Sequence, residues 1–416
     1  MKLNHKNNIK INKFSALQHR DFRLLWIGQL ISNTGSQMQI VALNWHIYLL
    51  TNSAVALGLI GLSRFIPVVI FSLIGGSFAD SHNRKKIMFY SQSIMAIFSI
   101  ILTIATFTNN VTPLIIYSIT IGSFIAFSFD LPARQALIPS LINKKDFTNA
   151  MSLNSIMFQI SAILGPGLVG FVIAEFGIGS VYAFNSLSFM AVIIALLLMR
   201  SDGAINGKST PVSITSILEG LRFVASRTII WSTMLLDFFG TFFSSATALL
   251  PIFAKDILHV GPRELGFLYA GPAIGALIAG YIIAHMEKIN NQGRILIYGV
   301  ICYGFATMLF GLSTFFWLSF ISLIILGIGD AISAIIRNIA RQLETPDYIR
   351  GRMIAINMIF FLGGPQLGEF EAGILAANVG APVSVVIGGI STVIFAGIIA
   401  LKIPDLINYK GHENKQ

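Results

Sequence analysis

The chain has 416 residues, of which 55% are hydrophobic and only 11% charged, and its mean hydropathy is +0.76. That leaves too little polar surface to enclose a soluble globule, so the composition marks an all-α polytopic membrane protein. The net charge of +10 suggests nucleic acid at first sight, but where the charge sits excludes that reading.

A bilayer core takes about 20 apolar residues per helix. By that measure the chain contains twelve spans, at 22–50, 56–79, 87–108, 112–133, 147–174, 179–199, 228–253, 263–285, 293–313, 315–338, 353–377 and 382–402. Of the 28 Lys and Arg, all but Arg64, Lys255 and Arg263 lie on the side of the N-terminal tail, the even-to-odd links and the C-terminal tail. The positive-inside rule makes that side cytoplasmic, and an even number of spans agrees. The basic start "MKLNHKNNIKINKFSALQHR" precedes a first helix longer than a signal-peptide core and lacks a small-residue cleavage site, so it reads as an uncleaved tail over 1–21. A single cysteine, Cys302, excludes an internal disulfide framework.

Span one reads "DFRLLWIGQLISNTGSQMQIVALNWHIY". Its Asn33, Gln37 and Asn44 stand four and seven residues apart and share a helix face. Polar groups are costly in hydrocarbon, so this face should look into the bundle or a water-filled cavity, where it would line a substrate site. Span two holds Arg64 in "GLSRFIP", about eight residues or roughly 12 Å from the outer end and too deep for easy snorkelling. It needs an anion: Asp237, a glutamate of span eleven, or the substrate itself. A permanent ion pair that only fixes packing is the plain alternative.

The link after span two, "GGSFADSHNRKK", puts Asp80 at the negative end of a helix, where a carboxylate needs a positive partner. Arg84 or the N-terminus of another helix would supply one, and a contact made in one conformation and withdrawn in another would be a latch. A solvated loop of mixed charge is the blander reading. This link resembles that of the major facilitator superfamily of secondary transporters, whose pattern is Gly, three residues, Asp, a basic residue, any, Gly, any, then basic residues. Gly76, Asp80, Arg84 and Lys85 match, while Ser81 replaces the usual basic residue and Asn83 the usual glycine. The resemblance implies that Asp80 faces the start of span eleven near Arg352, and that Arg84 pairs with Asp130 at the inner end of span four.

The end of span four, "FDLPARQALIPSLI", resembles the Asp-x-Pro-Ala-Arg-Gln block of a bacterial exporter subgroup that includes enterobactin exporters and macrolide efflux proteins. Asp130 and Arg134, at i and i+4, can pair on one helix face, as part of a gate or as a simple ion pair at the membrane edge. In span five, "ILGPGLVG" with Gly165, Pro166 and Gly170 resembles the glycine-proline motif of the family's antiporters; such a pair permits close packing and a kink. Many members of the family carry an acidic residue after the glycine of span one. Here Ser36 takes that place, so any proton must be carried by another acid.

An offset of 203 gives a weak internal echo: Arg134, Asn154, Phe158, Gly165 and Gly170 meet Arg337, Asn357, Phe361, Gly368 and Gly373. It supports two six-helix halves, 22–199 and 228–402, joined by a polar cytoplasmic linker at 200–227 and followed by a cytoplasmic tail at 403–416. The linker ends in "SILEGLRFVASRTIIW", an amphipathic helix leading into span seven. Its "DGAINGKST" only approximates a phosphate-binding loop, since Asp202 stands where the first glycine belongs and no strand precedes it.

The remaining intramembrane charges are Asp237, Asp330, Arg337, Glu369 and Glu371. Asp330 and Arg337, two turns apart, form a counterpart to Asp130 and Arg134. In span eleven, positions two apart differ by roughly 200°, so both glutamates cannot face one cavity. Gln366, Glu369, Gly373 and Ala376 form a stripe that reads as a polar cavity edge, and Gly364, Gly368, Glu371 and Asn378 form one that reads as a helix contact. Glu369 is therefore the leading proton-titrating or cation-binding candidate, ahead of Asp237, with Glu371 as an outer-half ion-pair or hydrogen-bond partner. An apolar setting favours the neutral form of a carboxyl, which a reversible proton carrier needs.

No His-Glu-x-x-His, cysteine pair or Gly-x-Ser-x-Gly is present, so metal and serine chemistry lack carriers and no cofactor is implied. The resemblance implies a major facilitator fold in a bacterial cytoplasmic (inner) membrane, monomeric, exporting a siderophore or drug-like molecule in exchange for protons. Uptake of a nutrient or siderophore is the alternative. A membrane enzyme or non-transporting receptor would need a catalytic cluster or a soluble domain, and neither is found.

Overall fold

Hydrocarbon offers backbone N–H and C=O groups no partner but each other, so apolar runs of this length fold as helices. The computed structural model describes residues 14–203, 214–286, 289–346 and 348–411. The distal part of the N-terminal tail, the linker centre with most of "DGAINGKST", and the last residues of the C-terminal tail lie outside them.

In chain order the helices are α1 (Arg20–Thr51), α2 (Ala54–Ser81), α3 (Arg84–Phe107), α4 (Pro113–Leu137), α5 (Phe147–Phe176), α6 (Ile178–Leu198), α7 (Ile214–Ser226), α8 (Thr228–Phe243), α9 (Leu250–Ile252), α10 (Pro262–Ala284), α11 (Gln292–Leu312), α12 (Phe316–Leu343), α13 (Arg350–Val379), α14 (Ala381–Lys402) and α15 (Pro404–Ile407). Eleven helical segments are long and apolar enough to cross a membrane. The first span, α1, has the length, but its glutamines and asparagines dilute its apolar character. Counting it, the chain crosses twelve times. The amphipathic segment before span seven forms α7.

Local chemistry sets the helix starts. Ser53, Asn83 and Thr112 accept from the backbone N–H three residues on, capping α2, α3 and α4. Span seven departs from expectation: α8 stops at Phe243, and the run to residue 257 continues as a 3-10 turn, the single turn α9 and a π segment. The Ser245 hydroxyl competes for the backbone there, donating to the Thr241 carbonyl at 2.8 Å, and Pro251 lacks an N–H. The carbonyl of Ser244 accepts instead from the Tyr303 hydroxyl at 3.1 Å.

Packing repeats itself. α1 lies on α5 and α6, α2 on α4, and α3 on α4 and α6; in the same pattern α8 lies on α13 and α14, α10 on α12, and α11 on α12 and α14. The two sets meet where α2 packs on α13 and α5 on α10. Both meetings come close at the ends far from the chain termini: Gly373 sits on Ala54 and Gly58, and Gly170 on Pro262 and Arg263. α7 docks on the opposite end of α13, where Gly220 meets Arg352 and Ile356.

Within the second set, a Cβ at residue 327 would be driven into the Pro272 backbone, whereas one at residue 167 meets nothing within 4 Å. Gly327→Val should therefore cost about 1–3 kcal/mol or more through overpacking, while Gly167→Ala should be neutral or stabilising by about 0.5–1 kcal/mol. Thermal unfolding of the two variants in detergent checks this; equal melting temperatures would contradict the packing described.

Candidate functional site

Polar side chains of α1, α2, α4 and α13 surround a cavity of about 430 Å³. Asn33, Ser36 and Gln37 of span one line it, as do Gln366 and Glu369 of α13. Five phenylalanines complete the wall: Phe124, Phe127, Phe158, Phe189 and Phe361. Asn44 shares the face of Asn33 but lies below the cavity, buried, rather than on its wall.

The deep end is built round Arg64, only 6% exposed. Its Nη1 lies 3.6 Å from Glu369 Oε2, and its Nη2 donates to Asn44 Oδ1 at 3.0 Å. α2 comes close enough for this because residue 61, one turn before Arg64, is glycine; a Cβ there would lie 2.8 Å from that of Glu369. Of the anions open to Arg64 from sequence, the structure supplies Glu369. Its Nε, buried, has no partner among the described residues, and neither has Gln366 Oε1.

Nearer the chain termini, Asp130 and Arg134 face the same cavity. Arg134 Nε is 4.0 Å from Asp130 Oδ2, Asp130 also accepts from Gln92 Nε2 at 2.9 Å, and Arg134 donates to Gln29 while lying over the Phe158 ring at 5.3 Å. Gln29 and Gln92 were not singled out from sequence. Gln29 was within reach, since it precedes Asn33 by one turn on the same face; Gln92 carries no such local signal.

The latch implied by family resemblance takes a different form. Arg84 does not pair with Asp130: it donates to the Ala136 carbonyl at 3.0 Å, because the free carbonyls ending α4 lie nearer than a carboxylate already held by Arg134 and Gln92. Arg352 does not meet Asp80 either. It pairs with Glu219 of α7, and Asp80 makes no ion pair or hydrogen bond among the described residues; beside it, Gly76 faces open space.

Asp237 lies away from the cavity, 3% exposed. Arg337 Nη2 holds it at 3.0 Å and Arg341 Nη1 at 3.4 Å. Asp330, the expected partner of Arg337, is the more distant one at 3.6 Å. Arg341, missed from sequence, stands one turn after Arg337 on the same face and also reaches Asn357 and Asn338.

The two stripes of α13 separate as their spacing requires. Gln366 and Glu369 face α2 and the cavity, whereas Gly364 and Gly368 pack on Phe238 and Phe242 of α8. Glu371, half-buried, makes no ion pair or hydrogen bond among the described residues. Gly165 packs on Gln37 of α1, and Gly170 on the start of α10; the glycine-proline run thus joins the cavity wall to the meeting of the two helix sets.

Residues 11–412 match the family described as transmembrane secretion effector. The chain is 25% identical over 412 residues to enterobactin exporter EntS of Shigella boydii serotype 18, covering 98% of this chain and 97% of that protein. It is 23% identical over 394 residues to multidrug efflux pump Tap of Mycolicibacterium fortuitum, covering 92% and 95%. A bacterial homologue of the human lysosomal transporter Spinster, solved in an inward-facing and occupied conformation, superposes with a TM-score of 0.73 at 15% identity, covering 92% of this chain and 96% of that one.

Asp237→Asn takes the carboxylate from buried Arg341 and leaves Arg337 with Asp330 alone, and breaking such a buried pair costs about 3–5 kcal/mol. Arg263→Gln breaks the exposed pair with Glu175 and a contact over the Phe171 ring, and exposed interactions of these kinds contribute at most about 1 kcal/mol each. Denaturation in detergent should show a large fall in melting temperature for the first and almost none for the second. The reverse order would refute the assignment of Asp237 as a structural clamp.

Proposed function

The chain belongs to the transmembrane secretion effector family of major facilitator transporters, and on that premise we propose that it exports a small organic molecule, siderophore or drug-like, in exchange for protons. The observation that carries this reading is the Arg64–Glu369 pair at the deep end of an amide- and phenylalanine-lined cavity. It joins helices of the two sets where they meet, so it can exist only while that end is closed.

In this reading both termini are cytoplasmic, the protein is a monomer in the bacterial inner membrane, and residues 22–199 and 228–402 rock about the cavity with 200–227 as their link. The closely packed ends of α2 with α13 and α5 with α10 then form a shut outer gate. Cargo enters from the cytoplasm past Phe158 and Phe361 and is held by Asn33, Gln37, Gln366 and the Asp130–Arg134 pair. Two relatives named for exporting enterobactin and for multidrug efflux support the direction.

Glu369 is the proton carrier in this scheme because it alone among the acid candidates joins a cavity wall to a single, imperfectly satisfied guanidinium. Asp237 is held by two arginines and Glu371 lies off the cavity. A proton on Glu369 frees Arg64 and so favours the state in which the outer end has parted; a ligand shifts such an equilibrium only by its different affinity for the two states. Asp80 and Arg352 remain free to meet in the opposite conformation, once Arg352 leaves Glu219.

In everted vesicles whose proton gradient is reported by an acridine dye, enterobactin or a macrolide should discharge the gradient in the parent protein. Glu369→Gln should reduce that discharge about tenfold or more, as expected when a group acting in the coupled step is lost. Discharge undiminished in this variant would sink the assignment of the proton to Glu369.

A further inference from the structure

α1 presents Asn44 and Tyr48 to the second helix set from one face, one turn apart, and Asn52, the left-handed residue that ends the helix, follows them. Each reaches across. Asn44 Nδ2 donates to the Tyr269 hydroxyl of α10 at 3.0 Å, the Tyr48 hydroxyl donates to Asp256, and Asn52 Oδ1 accepts from Lys255 Nζ at 2.6 Å. The Lys255 ammonium also stands 5.4 Å from the centre of the Tyr48 ring. These three rungs stitch the closed end of the molecule.

Only the first rung is wired to the cavity. Arg64 bonds Asn44 Oδ1 through Nη2 and lies 3.6 Å from Glu369 through Nη1. A guanidinium can only donate, so it fixes which end of the Asn44 amide faces it and leaves the N–H₂ for Tyr269. Turned the other way, the amide would set its own donors against Arg64. The carboxylate of Glu369, by placing Arg64, thereby sets the bond that crosses to α10.

We propose that Asn44 and Tyr269 are positioning residues that transmit the charge on Glu369 to the outer gate. The inference rests on Glu369 being the proton carrier. While it is ionised, Arg64 is held between α2 and α13 and the Asn44–Tyr269 rung is formed. When it is neutral, the guanidinium loses its anion and turns toward other acceptors, of which the unpartnered Gln366 Oε1 on the next turn of α13 is one. The Asn44 amide is released, and α1 keeps only its outer two rungs to the second set.

Few other charges bear on Glu369. α2 contributes Arg64, with Asp80 at its far end; α10 contributes Tyr269, reached through Asn44; and its own helix contributes Glu371, about half a turn round the axis, with Arg350 and Arg352 at its far end. α8 carries Asp237, already held by Arg337 and Arg341. Neither the 246–249 turn nor α14 before Lys402 has a charged residue, and Glu219 and Arg222 of α7 stand at the opposite end of α13.

The test measures the gate itself. Spin labels at Asn110→Cys and Thr314→Cys, on exposed far-side loops of the two sets, report its width in lipid nanodiscs when Cys302 is replaced by serine. The parent should lengthen on moving from alkaline to acidic buffer, and Glu369→Gln should be long in both. Asn44→Leu and Tyr269→Phe should also be long in alkaline buffer, raising the open-to-closed ratio about tenfold, the scale of a typical coupling between sites. Asn44→Asp keeps an acceptor for Arg64 and can take the Tyr269 hydroxyl as donor, so it should restore the short distance in alkaline buffer.

If Glu369→Gln loses the response but Asn44→Leu keeps the parent's, the relay is wrong while Glu369 stands. Opening in Asn44→Asp equal to that in Asn44→Leu would also overturn the relay, since any side-chain change would then suffice. A parent that ignores pH, or a Glu369→Gln variant that still responds to it, overturns the proton reading and the relay together.

Discussion

A guanidinium held inside a helical bundle constrains everything round it. Arg64 lies too deep to reach water along its own stem, and an unpaired ion there costs several kcal/mol even after relaxation. Its carboxylate comes from α13, a helix of the other set, so the cheapest arrangement of one set depends on the position of the second. Glycine at position 61 and the amide at position 44 follow from this need. The first lets the Gln366 backbone and the Glu369 side chain come near, and the second takes up a guanidinium nitrogen that Glu369 leaves over.

The Asp237 cluster shows the opposite design. Two arginines share one carboxylate, and Ser333, Asn338 and Asn357 take up further N–H groups. A site satisfied from so many directions has one favourable geometry and resists rearrangement. The first set has a matching but looser device: Arg134 of α4 reaches back to Gln29 of α1, as Arg337 of α12 reaches to Asp237 of α8. Each set is thus clamped internally by an arginine, while Arg64 spans the two. In the first set the clamp also faces the cavity, and Gln29 Nε2, Gln92 Oε1 and Arg134 Nη2 have no partner there among the described residues.

What could be read from the sequence was whatever is local or one-dimensional. Helix number, the amphipathic helix before span seven and the Asp130–Arg134 pair follow from hydropathy and i, i+4 spacing. The separation of Glu369 from Glu371 follows from the helical repeat alone. That Arg64 needs an anion was legible, but which anion was not, because Asp237 and the glutamates lie some 170 or more residues away with no local signal to rank them. The break in span seven was hidden because Ser, Thr and Pro are tolerated within membrane helices, and only the approach of Tyr303 decides the matter. Arg84 and Arg352 illustrate a different limit. A family pattern describes contacts over a whole cycle, and in this conformation Arg84 takes a helix-terminal carbonyl and Arg352 takes Glu219.

The contrast between the clamps and the bridge has a consequence for energy coupling. An exchanger has to make proton binding and gate closure exclude one another, and a ligand that binds both states equally shifts nothing. Had Glu369 and Arg64 belonged to one helix set, their pair would persist through rocking, and a proton would compete with it equally in either state. In the proposed exchange they belong to different sets, so opening the far end separates them and leaves the carboxylate a cationic partner only in the closed state. That difference would give a proton on Glu369 its differential affinity and, by linkage, would be the force with which it opens the gate.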